Sequence, residues 1–348
     1  METDEDSPVN DMKDVRNYSL LGNNTFGIDV CCSRFIEFRS TEEARQTARI
    51  LNSENTPFII IGGGSNLLFT GDFNGIVVRS AIKGILYEGD GRLCCGSGEK
   101  WDDVVAYCVS NNLYDAENLS LIPGDVGASA VQNIGAYGAE VKDIIETIEA
   151  VEINTANVVT IDAADCQYAY RRSRFKGEWK NRYLITRVTY RLSTGRFDPK
   201  TEYGNISGEL CRQGIVTPSA EQLRQTVIDI RRRKLPDPDV QGNAGSFFMN
   251  PVVDRKKYES LAKRYTDMPH YQLPDGKEKI PAGWLIDRCG WKGRSLGRAG
   301  VHDRQALVLV NLGGATGDEI VALSNAIRKD VLEKFGIEIF PEVNIIPK

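Results

Sequence analysis

The sequence predicts an α+β protein in two parts, and a change of texture along the chain is what predicts it. From about Tyr18 to Leu192 short strands mix with few helices, whereas from Thr217 onward helices with capping signatures alternate with strands. Length agrees, because 348 residues with 41% apolar content can bury more than one core.

Taken in order, residues 1–17 are polar and charged and are expected to be disordered. The first domain is expected over 18–196. Within it Thr41 to Leu51 sets Ala44, Ala48 and Leu51 on one helical face, and Glu99 to Asn112 does the same with Trp101, Val104, Val105 and Cys108. The apolar, β-branched runs Pro57 to Ile61, Gly75 to Arg79 and Tyr183 to Leu192 read as strands. Residues 197–216 are expected to be a linker or substrate loop, and 217–348 the second domain. There Ser219 with Gln222 is a capping box before Leu223, Val227 and Ile230, and Pro236 and Pro238 end that helix near Leu235. A second box, Thr316 with Glu319, opens a helix carrying Ile320, Leu323, Ile327 and Val331, closed by Gly336. Strands are expected at Ala306 to Asn311 and Gly336 to Ile346. No internal repeat is visible.

Composition excludes several functions. A net charge of −5 with one local Arg cluster argues against a nucleic-acid partner, which needs a broad basic surface. No apolar run approaches a membrane span, and the acidic start Met1-Glu2-Thr3-Asp4-Glu5-Asp6 is unlike a signal peptide, so a cytoplasmic protein without a membrane partner is expected. Eight cysteines without a CxxC spacing read as reduced structural thiols, and no metal site is expected.

Three segments carry chemistry. Gly242 to Pro251, GNAGSFFMNP, places the single hydroxyl of Ser246 between glycines and aromatics, just after Arg231-Arg232-Arg233-Lys234. Glycines let main chain approach a ligand, and Phe247 and Phe248 can exclude water around a proton donor. A turn before an edge strand fits the same ten residues. The second segment, Ile60 to Leu68, is a glycine loop leaving a strand, where exposed amides with Ser65 and Asn66 form an anion site. It lacks the Lys-Ser/Thr of a P-loop and the third glycine of a dinucleotide fingerprint. The third, Leu121 to Gly138, is rich in Gly, Ala and amides. Its small residues let main chain lie against a flat ring, and Gln132 and Asn133 can match ring heteroatoms. An ordinary surface loop is the alternative.

In this order, IIGGGSNLL, IPGDVGASAVQNIGAYG, YAYRRSRFK, KLPDP, GNAGSFFMNP, PAGWLID and PEVN resemble the UDP-N-acetylenolpyruvoylglucosamine reductase (MurB) family, over nearly everything from Tyr18 to Ile346. The resemblance implies a FAD-binding module of the vanillyl-alcohol-oxidase (PCMH) type made of two subdomains, plus a C-terminal α+β substrate-binding domain that closes over the flavin. It implies reduction of UDP-GlcNAc enolpyruvate by NADPH through bound FAD, in peptidoglycan precursor synthesis and hence in cell wall biogenesis, cell shape and cell division. Hydride from flavin N5 would add to the vinyl carbon, so the site must stabilise an enolate and then protonate carbon. Ser246 falls at the family's proton donor, Arg171 of YRRS at its catalytic arginine and Glu342 of PEVN at its third catalytic position, where, protonated or orienting another donor, it is expected to stabilise the enolate with Arg171. A planar, permanent guanidinium suits a bidentate hold on the substrate carboxylate.

The two glycine loops then correspond to FAD contacts: Gly62, Gly63, Gly64, Ser65, Asn66 and Leu67 in the first, and Pro123, Gly124, Ser129, Gln132, Asn133, Gly135, Ala136, Tyr137 and Gly138 in the second. Arg231 is expected on a phosphate of FAD or substrate, with Arg232 and Arg233 solvated. Substrate positions are Tyr170, Tyr203, Lys234, Asn250 and Gln305. Tyr203 resembles the mobile loop tyrosine of one family subtype, and His302 is read as structural. Met249 stands where relatives often carry Lys, so a phosphate contact there must come from elsewhere. NADPH is expected to use the substrate's flavin face in turn, and a monomer is expected. Rival readings are another flavoenzyme of the superfamily, which has no reason to keep Ser246, Arg171 and Glu342 together, and a non-catalytic UDP-sugar sensor, which needs no flavin. A serine hydrolase is disfavoured because GxSxG fails at Phe248.

Overall fold

The structure, a computed structural model, describes residues 12–348. Its contacts divide the described residues into two units, one of 12–18, 32–63 and 74–231, the other of 19–31, 64–73 and 232–348.

In the first unit a four-stranded sheet orders Lys13–Ser19, Cys31–Phe38, Phe73–Ser80 and Phe58–Ile61 side by side. The last two run parallel, Phe58 opposite Ile76 and Ile61 opposite Arg79. Helix α1 (Thr41–Ser53) starts at Ser40, whose hydroxyl accepts from the Glu43 N–H at 3.1 Å while the Glu43 carboxylate accepts from the Arg39 N–H at 2.7 Å. Its Ala44, Ala48 and Leu51 pack on Ile36, Phe38, Ile76 and Val78. A second, antiparallel sheet of five strands orders Asn157–Asp162, Ile145–Glu152, Tyr183–Arg191, Arg92–Gly96 and Ile85–Gly89. Against its core lie α2 (Trp101–Ser110) and α3 (Val126–Gln132). Buried Trp101 meets Tyr190 edge-on, ring centroids 5.6 Å apart, and donates its indole N–H to the Leu119 carbonyl at 2.9 Å.

Two further helices complete the unit. Residues 197–216, expected as a linker or loop, contain α4 (Ile206–Arg212), and α5 (Ala220–Lys234) follows with the Ser219–Gln222 box formed in both directions. Ile206, Leu210, Leu223, Val227 and Ile230 make one cluster, with Tyr137 and Phe197 packed on it. Arg224 also forks onto Asp102 at 2.7 and 3.0 Å. These contacts place α5 with the first unit as far as Arg231, so the expected boundary at 217 gives way to one at 231.

The expected disorder of residues 1–17 is corrected for the residues that are described, since Lys13 opens a strand. Tyr18 stacks on Phe35 at 4.3 Å and Asp14 pairs with Arg34 at 2.5 Å. An edge strand tolerates polar residues because one of its sides faces water, so its polar composition gave no strand signal. Residues 1–11 lie outside the described residues.

In the second unit Asn243–Ser246, Val308–Asn311, Ala299–Val301 and Ser295–Leu296 form an antiparallel sheet. Helices α6 (Arg255–Ala262), α7 (Ala282–Arg288) and α8 (Gly317–Phe335) accompany it. The α8 capping box is reciprocal, and Gly336 takes the left-handed stop at φ 59°. Tyr265, Trp284 and Phe335 form an aromatic cluster with ring centroids 5.0–5.9 Å apart. The early segment 19–31 belongs here: Phe26 is buried and meets Phe247 edge-on at 6.2 Å, and Asn243 N–H donates to the Thr25 carbonyl at 2.9 Å. The expected strand Gly336 to Ile346 is shorter, with only Asn344–Ile346 pairing, in parallel with Leu67–Phe69. Pro341, which has no N–H, contributes only an isolated bridge to Phe248.

Candidate active site

In the first unit the two glycine segments are built against each other. A Cβ on Gly62 would lie 2.9 Å from Ala128 Cβ, and one on Gly63 would lie 3.3 Å from Asp125 Oδ1 and 3.4 Å from Gly124 Cα. Only glycine allows that approach. The second segment is no continuous loop, because Val126 to Gln132 form α3, pinned through Trp101 N–H to the Gly124 carbonyl and Val126 N–H to the Glu99 carbonyl.

Two expected side-chain contacts are already spent inside the protein. Asn133 is buried; its amide donates to Glu140 and to the Ala169 carbonyl, both at 2.9 Å, and its oxygen accepts from the Lys142 N–H. Ser129 donates to the Val126 carbonyl at 2.7 Å and meets the Tyr190 hydroxyl at 3.1 Å. At these positions only backbone is left to face a ring, and Asn133 instead anchors the stretch that precedes Arg171.

Arg171 sits on left-handed backbone, φ 55°, as do Asn133 and Tyr137 at 45° and 49°. Such strain in non-glycine residues clusters at functional sites. The guanidinium lies on the Gly135 carbonyl at 2.8 Å and the Asn133 carbonyl at 3.4 Å, and 5.4 Å from the Tyr170 ring centroid. Both carbonyls orient the guanidinium. Tyr137 and Gly138 form a two-residue turn between Gly135–Ala136 and Ala139–Glu140, both with positive φ.

Arg231 has its Nε buried without a hydrogen-bond partner. Burial lowers its pKa, opposed by Tyr137 and Asp102 and reinforced by the positive charge of Arg171. Burial raises the Tyr137 phenol in turn, against Arg231. Asp102 is held below the usual carboxylate range although burial opposes ionisation, because Arg224 and the Leu121 N–H, at 2.5 Å, hydrogen-bond to it. Asp125 escaped the sequence reading although it is the one charge between Leu121 and Gly138. It is buried, its pKa is raised by burial against the pull of Arg79, and its Oδ2 has no hydrogen-bond partner.

In the second unit Ser246 ends its strand opposite Val308, and the neighbouring Phe247 carbonyl accepts from the Glu342 N–H at 2.8 Å. Ser246 and Glu342 therefore lie on adjacent chain segments. Ser246 is exposed, while Phe247 and Phe248 are buried and packed edge-on at 5.1 Å. The aromatics anchor the strand in the core, where they were expected to wall the hydroxyl. Gly242 likewise approaches the protein's own Phe26 carbonyl, and Gly245 takes φ 65° to turn the strand. Asn250 accepts from the Ala282 N–H at 2.9 Å, at the start of α7, and Gln305 accepts from the Leu307 N–H at 3.3 Å. Lys234, Tyr170 and Tyr203 are exposed, and Met249 is half-exposed. Gly64 to Leu67 belong to this unit, where the Asn66 carbonyl accepts from both nitrogens of Asn344, at 3.1 and 3.0 Å. His302 is buried and its pKa is lowered by that burial, in keeping with a structural role.

Close-packed glycine backbone and a buried guanidinium nitrogen with unused hydrogen-bonding capacity fit a phosphate-bearing, flat-ringed cofactor. Residues 32–162 match the family described as FAD binding domain, and residues 237–346 match UDP-N-acetylenolpyruvoylglucosamine reductase, C-terminal domain. In overall fold the chain is similar to the crystal structure of UDP-N-acetylenolpyruvylglucosamine reductase (MurB) from Thermus caldophilus, with TM-score 0.66, 21% identity and coverage of 97% of this chain and 99% of that one. Fold and matched domains together define a flavin-dependent oxidoreductase.

Sequence relatives narrow that class. A UDP-N-acetylenolpyruvoylglucosamine reductase of Bacteroides fragilis (strain YCH46) is 50% identical over 336 residues, 94% of this chain and 99% of the relative. Another from Burkholderia pseudomallei (strain K96243) is 45% identical over 328 residues, 92% and 94% of the two chains. At that identity and coverage, the chain belongs to the UDP-N-acetylenolpyruvoylglucosamine reductase family.

Proposed function

We propose that Arg171, Ser246 and Glu342 carry the reaction of this family member, the NADPH-dependent reduction of UDP-GlcNAc enolpyruvate to UDP-N-acetylmuramate in peptidoglycan synthesis. The observation that carries the proposal is the bond from the Glu342 N–H to the carbonyl of Phe247, the residue after Ser246, which sets the two residues on adjacent segments within a chain 50% identical to a named reductase. When bound, FAD reduced by NADPH would supply the hydride that adds to the vinyl carbon. The rest is the work of side chains.

Charge develops on the substrate's adjacent carbon and carboxylate. Arg171, oriented by the Gly135 and Asn133 carbonyls, binds that carboxylate through its guanidinium, and the attraction grows as the enolate forms. The Ser246 hydroxyl gives its proton to the enolate carbon; a hydroxyl is a weak acid, but a carbanionic enolate is a strong base. Glu342 orients the protonating group. Lys234 and Arg231 hold phosphates, Asn250 and Gln305 offer amide groups, and Tyr203 with Tyr170 covers the nucleotide sugar. Asn250 retains its Nδ2 for this role, as only its oxygen is used in starting α7. Flavin contacts come from Gly62 to Leu67 and from the main chain of Pro123 to Gly138.

The protein acts as a cytoplasmic monomer in this reading; among the described residues no helix is long and apolar enough to cross a membrane. The test is anaerobic. The protein is reduced with one equivalent of NADPH, UDP-GlcNAc enolpyruvate is added, and flavin absorbance is followed. Return of the oxidised spectrum with stoichiometric lactyl product is expected; reduced flavin that ignores this substrate overturns the proposal.

A further inference from the structure

We propose that Tyr137 is a positioning residue through which the Tyr203 segment sets the Arg231 guanidinium for a phosphate-bearing ligand. The inference rests on the reading of Tyr203 and Arg231 as ligand-facing residues.

Two Tyr-Gly pairs interlock. Tyr137-Gly138 forms the corner of its hairpin, and Tyr203-Gly204 precedes α4, with Gly138 at φ 82° and Gly204 at φ 68°. A side chain on Gly138 would overlap the Tyr203 ring, and one on Gly204 would overlap the Tyr137 ring. Each glycine is the seat of the other pair's tyrosine. The buried Asn118 amide ties the same two segments, donating to the Tyr137 carbonyl at 2.8 Å and the Lys200 carbonyl at 2.9 Å.

Tyr137 packs on the α5 cluster that contains Ile230, next to Arg231, and its phenol and the Arg231 guanidinium shift each other's pKa; the Arg231 Nε is buried without a hydrogen-bond partner. The positive charge of Arg171 lowers the Arg231 pKa. Two cations in that relation, backed by a phenol, define a place for an anion, and a diphosphate supplies one. The Tyr137 ring is gripped by Gly204 while its hydroxyl faces Arg231, so displacement of the Tyr203 segment must change the setting of the cation. UDP-sugar and FAD both carry a diphosphate, and the experiment separates them.

The test uses FAD-loaded protein and two variants. Tyr137→Phe keeps the ring in its seat and removes the hydroxyl. Tryptic cleavage after Lys200 should stay within about twofold of the parent, while either KM for UDP-GlcNAc enolpyruvate or the FAD dissociation constant rises about tenfold with kcat little changed. A rise in KM assigns the anion to the substrate, and a rise in the FAD constant, read from free-flavin fluorescence on dilution, assigns it to the cofactor. Gly204→Ala unseats the ring, so it should both speed cleavage after Lys200 and raise the same constant. The double variant should show no more than the larger single effect. Unchanged constants in Tyr137→Phe, or faster cleavage in Gly204→Ala with both constants unchanged, overturns the proposal. If the parent protein turns over no UDP-sugar, the catalytic reading fails, yet cleavage and FAD release still decide the coupling.

Discussion

Arg171 rides on left-handed backbone with its guanidinium laid on two carbonyls of a neighbouring turn, whereas Ser246 ends a short strand, past a glycine that turns it, and is exposed. A long, flexible cation needs outside help to point one way. Here that help costs about 1–2 kcal/mol of backbone strain for each left-handed residue such as Tyr137 and Arg171, while asparagine at 133 enters the region more readily. A serine has one rotor. Ladder bonds on both sides of its strand, Phe247 N–H to Leu307 and Glu342 N–H to Phe247, place it without strain. The difference teaches that the reach of the side chain decides how much surrounding structure a reactive group requires.

The largest expected effect removes the short-reach group. Ser246→Ala should leave NADPH reduction of the flavin intact and slow its oxidation by substrate by about 10²- to 10⁴-fold, measured by stopped-flow absorbance. Because Ser246 is exposed and the strand is held by backbone bonds, thermal stability should not change. A collapse of both half-reactions would erase the contrast drawn above.

Next comes the long-reach group. Arg171→Lys keeps a charge but loses the fork that rests on the Gly135 and Asn133 carbonyls, so kcat should fall about 10- to 100-fold, more than KM rises. A pure KM effect in steady-state kinetics would demote Arg171 to a binding role. Asn133→Ala sharpens the same point: it touches no reacting atom here, yet loss of its bond to the Ala169 carbonyl should lower kcat about tenfold by loosening the Arg171 turn.

The smallest effect concerns pH. Glu117 is buried, and burial pushes its pKa up to about 7. Its folded pKa exceeds its unfolded value, so the folded state binds the extra proton between roughly pH 4.5 and 7. The contribution is complete below the unfolded pKa and is lost as pH rises through 7. Glu117→Gln should therefore raise the thermal midpoint more at pH 8 than at pH 5; equal shifts at both would remove the linkage. Asn118, next in the chain, carries the bonds to Tyr137 and Lys200, so this titration sits beside the turn that supports the cation.

Periodicity and capping, which are local, made α1, α2, α5 and α8 legible in the sequence almost to their ends. Helix α3 was missed because Gly127, Ala128, Ser129 and Ala130 give no amphipathic stripe, and its helical state is set by what packs on it. The strand at Lys13 was missed because an edge can be polar. For the site, motif order along the chain named Ser246, Arg171 and Glu342 as candidates, and it drew attention to Asn133 and Ser129. That their side chains are consumed by the Ala169 carbonyl and the Tyr190 hydroxyl could not be read, since those partners lie 36 and 61 residues away.

By itself, then, the sequence determined α1, α2, α5 and α8, the two-part α+β class, the glycine segments and the family, because these depend on neighbours within a few residues or on motif order. Tertiary structure alone decided that segments 19–31 and 64–73 join the second unit, that α5 belongs with the first, and that Phe247 and Phe248 are core. It also decided that two Tyr-Gly pairs clasp one another. Those outcomes depend on which distant backbones meet, and a chain read one residue at a time carries no record of that meeting.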